Sequence, residues 1–192
     1  MNKKENKVTY GLSNVYIAPI KEEGGVIGYD TPIKVPGAVT LTMNPTGDST
    51  EYYADNIVYY AESSKTGYEG DLEMALLPEE IKIRILGNKK DANGAIIESS
   101  EDKGTEFALM FEVDGDIKKR RNTFYRCTMS VGSEEHKTKE EKTEITGSKL
   151  ALKALPRISD NIIRSSMEEN EQNTVKYNEY FTKVYEPELK NI

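Results

Sequence analysis

Cys127 and His136 each occur once in this sequence, and their residue types are the ones most often used for nucleophilic, acid–base or metal chemistry. His136 stands in the charged run 134–137 with no second base or nucleophile nearby, so a solvated surface imidazole is favoured. Cys127 falls inside a predicted strand, on the face of Tyr125 and Met129, where a thiol usually acts as a small buried apolar group. One Cys and one His cannot complete a structural zinc site. We therefore expect no enzyme, no cofactor and no metal.

Three short motifs look like fragments of ligand-binding loops but lack essential residues. Residues 91–94 and 114–116 contain Asp and Gly without the spaced acidic ligands and closing Glu of a calcium loop. The glycines at 24–25 lack the Lys, Ser or Thr of a phosphate loop. All three are predicted to be turns. The basic run 118–121 is expected to be a solvated strand end or an inter-subunit charge pair rather than a nucleic-acid contact.

The composition bounds the class of protein. A length of 192 residues with 36% hydrophobic residues fits one domain with a sizeable core. The net charge of -7 disfavours a protein that recruits nucleic acid. A single cysteine permits no intrachain disulfide, so cytoplasmic folding is acceptable. The polar N-terminus predicts no signal peptide, and no segment approaches the length of a membrane span.

Apolar residues alternate with polar ones in segments bounded by Gly, Pro, Asn and Asp, which is typical of half-buried strands. The predicted strands are enough for two packed sheets or a barrel, so the expected class is mainly β, with some helix (α+β). They cover residues 15–20, 33–35, 39–43, 52–60 with an interruption at 55–56, 68–76, 107–113, 124–131, 149–155 and 162–167.

Two helices interrupt this pattern. The first is predicted between Pro78 and Gly87, with Glu79 and Glu80 at its positive end. The second is predicted over residues 173–186, ending before Pro187, with an apolar stripe that docks it on the domain. That stripe consists of Tyr177, Tyr180, Phe181 and Val184. The expected organisation is a single domain, 1–192, with a possible flexible arm at 1–8 and a loop or arm at 44–64.

Four tyrosines occur within residues 52–60, flanked by turn-forming residues. Such a segment is too aromatic for an ordinary exposed loop, and tyrosine-rich surfaces commonly become buried against a partner. The predicted interface residues are Tyr52, Tyr53, Asp55, Asn56, Tyr59 and Tyr60.

Alternation along residues 68–76 separates two kinds of side chain. Leu72, Met74 and Leu76 share one face, which is expected to be core. The other face carries Glu69, Asp71 and Glu73 and is expected to be acidic and to meet solvent. Charge is also dense over residues 133–149, which is expected to be an exposed loop or strand pair.

Several segments in order along the chain resemble the phi13-type major tail proteins of siphoviruses that infect Gram-positive bacteria. The resemblance covers nearly the whole chain. Its segments are KVTYGLSNVY at 7–16, GAVTLTMNPTGDSTEYYADNIVYY at 37–60, GYEGDLE at 67–73, FALMFE at 107–112, RR at 120–121, FY at 124–125 and YNEYFTKVY at 177–185.

The resemblance implies a β-sandwich or small barrel of the phage tail tube type, with a flanking helix and a C-terminal helix. It implies a structural virion protein that forms stacked hexameric rings around a tape measure protein and meets tail terminator and distal tail proteins. DNA would pass through the lumen without specific binding, and no membrane is involved. Assembly in the host cytoplasm and residence in the virion tail are expected.

The acidic row of Glu69, Asp71 and Glu73 is then a candidate lumen surface, because a wall of like charge lets DNA slide. Two alternatives to a phage tail tube subunit remain open. One is the tube subunit of a phage-derived bacteriocin particle, and the other is a carbohydrate-binding β-sandwich module, because tyrosine-rich surfaces also stack on sugars.

Overall fold

A computed structural model describes residues 5–24, 26–132 and 147–188. These residues are mostly strand, which confirms the mainly β class. The helices are Glu79–Arg84 (α1) and Thr174–Asn178 (α2). The strands are Thr9–Glu23 (β1), Val26–Tyr29 (β2), Ile33–Lys34 (β3), Ala38–Thr46 (β4), Ser49–Ala54 (β5), Ile57–Ser63 (β6), Gly67–Met74 (β7), Lys89–Lys90 (β8), Ile96–Ile97 (β9), Phe107–Gly115 (β10), Arg120–Val131 (β11), Ser148–Ala154 (β12) and Arg164–Glu168 (β13).

Nine of these strands form one antiparallel sheet with the path β2-β1-β10-β11-β12-β7-β4, to which β3 and β13 add at β1 and β11. The long strand β11 connects its two halves. Its first part pairs with β10 and β13, and its last part pairs with β12. The sheet therefore wraps around a core to which β1, β10 and β11 contribute from one half and β7 and β12 from the other.

The larger core lies between these halves and is closed by α1. Leu72 and Met74 of β7 are fully buried in it, and Leu76 is not. The prediction for Leu76 was wrong because β7 ends at Met74 and the chain turns toward α1, leaving Leu76 75% exposed. Ile81 and Ile85 of the α1 region are fully buried.

A smaller cluster covers the opposite face of β1, β10 and β11. Tyr180 and Val184 are buried there, and the ring of Phe181 stacks on that of Tyr16 with centroids 4.9 Å apart. The predicted helix over 173–186 is wrong in its extent, because α2 ends at Asn178 and the chain continues in turns. A helix this short is weak by itself, so the packing of the later aromatic side chains decides the backbone path.

A β-bulge in β11 corrects the predicted environment of Cys127. Phe107 pairs with Cys127 and Leu109 with Phe124, so three steps along β11 match two along β10. The extra residue reverses the alternation, and Tyr125 faces the smaller cluster while Cys127 faces the larger core. Cys127 is buried as predicted, but not on the face of Tyr125.

Asn6 and Lys7, which fall within the possible flexible arm at 1–8, form hydrogen bonds with the domain, and the arm itself stays a prediction. The side chain of Asn6 donates to the Lys118 carbonyl oxygen at 2.8 Å and accepts from the backbone N–H groups of Ile117 and Lys118. The amide of Lys7 donates to the Asp116 carboxylate. His136 and most of the charged segment 133–149 lie outside the described residues.

Candidate assembly surfaces

Strands β5 and β6 form a two-stranded hairpin outside the main sheet, here called the tyrosine hairpin (residues 49–63). It continues the β4–β7 pair, because the amide of Thr66 donates to the Thr46 carbonyl oxygen at 2.9 Å and that of Ser64 to the Asp48 carbonyl oxygen at 2.8 Å. A Cβ at Gly47 would lie 1.8 Å from the Ser64 carbonyl oxygen, so only glycine permits this approach. At a rise of about 3.3 Å per residue, the hairpin projects about 25 Å beyond Thr46.

The tip of the hairpin is a two-residue turn at Asp55 and Asn56, whose φ angles are +52° and +59°. Positive φ at both central residues is the geometry of a type I′ turn, and Asp and Asn tolerate it better than most residues. The pairs Tyr52–Tyr60 and Tyr53–Val58 leave Tyr59 without a cross-strand partner. The interruption predicted at 55–56 is therefore the tip of a hairpin, with strand on either side of it.

No described residue outside the tyrosine hairpin covers either of its faces. Tyr52, Tyr53, Tyr59 and Tyr60 are between 55% and 73% exposed. The Tyr53 hydroxyl donates to the Glu51 carboxylate at 2.6 Å, and this hydrogen bond raises the pKa of Tyr53. A two-stranded hairpin alone is only marginally stable in water, and contiguous exposed apolar surface marks an interaction site.

The acidic row of β7 faces solvent, on the opposite side of the strand from the buried Leu72 and Met74. It is less purely acidic than alternation suggested. Lys153 of β12 contacts Glu69 at 2.8 Å, and Lys149 contacts Asp71 at 3.1 Å. The strand register places these lysines on the same face as the carboxylates, so the surface carries both signs of charge.

The basic run 118–121 is paired within its own chain. Glu112 is 1% exposed and holds Arg121 at 2.8 Å and Lys119 at 3.1 Å, while Arg120 contacts Glu168 at 2.6 Å. Burial of Glu112 opposes its ionised form, but the hydrogen bonds from Arg121 and Lys119 outweigh burial and lower its pKa. This cluster holds the β10–β11 turn and is not a free cationic surface.

Three features of the described residues bear on chemistry or membrane insertion: the reactivity of the thiol, clusters of metal-ligating side chains, and the length of apolar helices. Burial raises the pKa of the Cys127 thiol to about 12, so the thiolate that would act as nucleophile is suppressed. Within the described ranges, no group of three His, Cys, Asp or Glu side chains could hold a metal ion. In the same ranges no helix is long and apolar enough to cross a membrane.

A family model described as phage tail tube protein matches residues 1–125. Among solved structures, the chain is similar to the anti-feeding prophage cap (AFP tube terminating cap) determined by cryo-EM, with a TM-score of 0.47 and 9% sequence identity over 88% of this chain and 97% of that chain. No curated protein matches the chain.

Proposed function

The chain belongs to the phage tail tube protein family, and we propose that it is the major tail tube subunit of a siphovirus, which self-assembles into stacked hexameric rings. The tube would form around a tape measure protein, end at tail terminator and distal tail proteins, and later conduct DNA. It would be built in the host cytoplasm and remain in the virion tail. The subunit acts by shape and self-association and performs no catalysis.

The observation that carries this proposal is the bare tyrosine hairpin. Its four tyrosines lie on a ribbon that projects from the sheet and is exposed on both faces. Burying them against other subunits would release the apolar surface from water and stabilise the hairpin at the same time. Tyr52, Tyr53, Tyr59 and Tyr60, with Asp55 and Asn56 at the tip, are accordingly the proposed subunit interface.

A second observation supports closed rings. Strand β4 is the last strand of the sheet path, and among the described strands it pairs only with β7. Its Val39 is 57% exposed. An unpaired edge is a liability in a monomer and becomes a joint when neighbouring subunits continue the sheet around a ring.

The acidic row is proposed to face the lumen. Glu69, Asp71 and Glu73 project from the solvent face of a sheet whose other face is core. Repetition around a ring turns each carboxylate into a circle of charge, and a narrow low-dielectric wall focuses its field. Because Lys149 and Lys153 offset part of this charge, the lumen would repel DNA more weakly than a purely acidic wall.

Light scattering of purified protein across a wide concentration range tests this function. A tube subunit shows a critical concentration above which scattering rises. Addition of a tail initiator complex removes the delay before scattering begins to rise. Monomer at every concentration, with or without the initiator, would contradict the proposal. Binding of the monomer to glycan arrays without assembly would favour the carbohydrate-binding alternative, and the identity of neighbouring genes would separate a phage tail from a bacteriocin particle.

A further inference from the structure

A cleft of about 310 Å³, lined mostly by apolar residues together with Arg164, opens between β4 on one side and β1 and β10 on the other. Phe111 and Phe124 are buried lining residues, 7% and 1% exposed, and Leu41 and Met43 of β4 line one wall. Its volume lies at the lower end of the range for small-molecule sites, which leaves room for one or two aromatic side chains.

Arg164 lies beside this cleft and differs from the other arginines of the chain. All six arginines are described, and five of them pair with a carboxylate. Arg164 instead donates to the Asn122 side-chain oxygen at 2.7 Å and stands 5.3 Å from the centroid of the Phe124 ring. Within the described ranges it has no carboxylate partner. An exposed guanidinium above an apolar lining favours an occupant that is aromatic and acidic.

The tyrosine hairpin has both properties. Residues 49–64 contain three carboxylates, on Glu51, Asp55 and Glu62, and no lysine or arginine. The Glu62 carboxylate accepts a hydrogen bond from the Tyr60 hydroxyl at 3.0 Å, so an aromatic ring and a negative charge are presented together.

The hairpin of the same chain is an unsuitable occupant. Strand β4 supplies Leu41 and Met43 to the cleft and pairs with β7 as far as Thr46. Beyond Thr46 the chain enters the hairpin, in which β5 pairs with β6. A hairpin paired in this way lies beyond its own cleft, and a second copy of the chain must supply the occupant.

We propose that the tyrosine hairpin of one subunit inserts into the β1–β4–β10 cleft of a second copy, where Tyr60 enters the cleft and Glu62 pairs with Arg164. This inference rests on the proposed function for the existence of an assembly, and it adds the surface that receives the hairpin. The contact is head-to-tail, so it repeats from copy to copy and builds either a closed ring or a continuing stack.

Cysteine cross-linking tests the contact directly. The native Cys127 is fully buried, so an introduced surface cysteine is the reactive thiol among the described residues. Chains carrying Ala61→Cys, an exposed position of β6 that leaves Tyr60 and Glu62 in place, are mixed with chains carrying Tyr10→Cys at the cleft rim, assembled, and treated with a short bis-maleimide. We expect covalent dimers in this mixture and few when the partner carries Val175→Cys, which is 70% exposed on α2.

The outcomes separate the inference from the function on which it rests. Equal cross-linking to Tyr10→Cys and Val175→Cys, or none to Tyr10→Cys in particles that assemble, would overturn the cleft as the receiving site and leave the tube function standing. Unmodified protein that stays monomeric would overturn both.

A charge exchange provides a second measurement. Glu62→Arg and Arg164→Glu should each raise the critical concentration on the order of tenfold, because each leaves two like charges facing one another. The double variant should have a critical concentration close to that of the unmodified protein. Lys183→Glu, which changes the net charge as Arg164→Glu does, is the matched control. A double variant no better than the singles, or an equal effect of the control, would refute the pairing.

Discussion

Truncation of the cross-strand pair Tyr52 and Tyr60 to Ala should block assembly while leaving the monomer nearly unchanged. These side chains are 63% and 55% exposed. An aromatic side chain buries roughly 200 Å², so about 110 to 130 Å² of each tyrosine remains to be covered by a partner. At about 25 cal/mol per Å² this amounts to about 3 kcal/mol for each side chain as an upper estimate. A cost of about 2 to 3 kcal/mol corresponds to a rise of roughly 30-fold to 150-fold in critical concentration for each tyrosine.

The assay compares two measurements on the same samples. The critical concentration is read from light scattering, and monomer stability from thermal unfolding below that concentration. The monomer should change by no more than about 0.5 kcal/mol, or about 1 to 2 °C in Tm. Ile158→Ala, which removes an apolar side chain that is 70% exposed in a loop, is the matched control. If the variants lose both assembly and monomer stability, these tyrosines stabilise the fold of the subunit. If assembly is unimpaired, they do not lie in the interface.

Three further predictions concern the body of the subunit. Tyr180→Ala should lower the free energy of unfolding in urea by about 3 to 5 kcal/mol, because the ring is 1% exposed and its hydroxyl accepts a hydrogen bond from Thr123 at 2.8 Å. Phe181 is only partly buried, so Phe181→Ala should lower it by about 1 to 2 kcal/mol. Changes near zero for both variants would mean that the C-terminal segment does not stabilise the domain. Glu112→Gln should lower the free energy of unfolding by about 2 to 4 kcal/mol at pH 7. Since the folded-state pKa of Glu112 is lowered from 4.5, the advantage of wild type over this variant should be complete at neutral pH and shrink as the pH falls below about 4.5, and a constant difference down to pH 3 would contradict the assignment. Replacing all three carboxylates of the acidic row by Lys should allow tubes yet slow DNA ejection at low salt more than at high salt, and wild-type ejection at both salts would place this face outside the lumen.

Local patterns predicted the parts of the fold that depend on local chemistry. Alternation identified β7 because its even-numbered residues 72 and 74 are core and its odd-numbered acidic residues meet solvent. Pro78 and Gly87 bracketed α1 because one is compatible with a helix start and the other has φ +85°, with a Cβ position only 2.5 Å from the Lys103 carbonyl oxygen. Strands β2, β8 and β9 lie outside the segments predicted to be strands.

Features that depend on residues far apart in the sequence could not be predicted from local patterns. The bulge that separates Tyr125 from Cys127 is set by pairing with β10, and the end of α2 is set by aromatic packing against β1 and β10. The lysines beside the acidic row are neighbours only because β12 pairs with β7. The β1–β4–β10 cleft combines residues near positions 10, 41, 111 and 164, so no stretch of sequence reveals it.

Electron microscopy of the concentrated, untagged protein shows directly whether the chain forms a hexameric tube. We expect rings and hollow tubes whose end views average with six-fold symmetry and whose walls enclose the tyrosine hairpins between subunits. A preparation that contains only monomers, or filaments without a central channel, would contradict it.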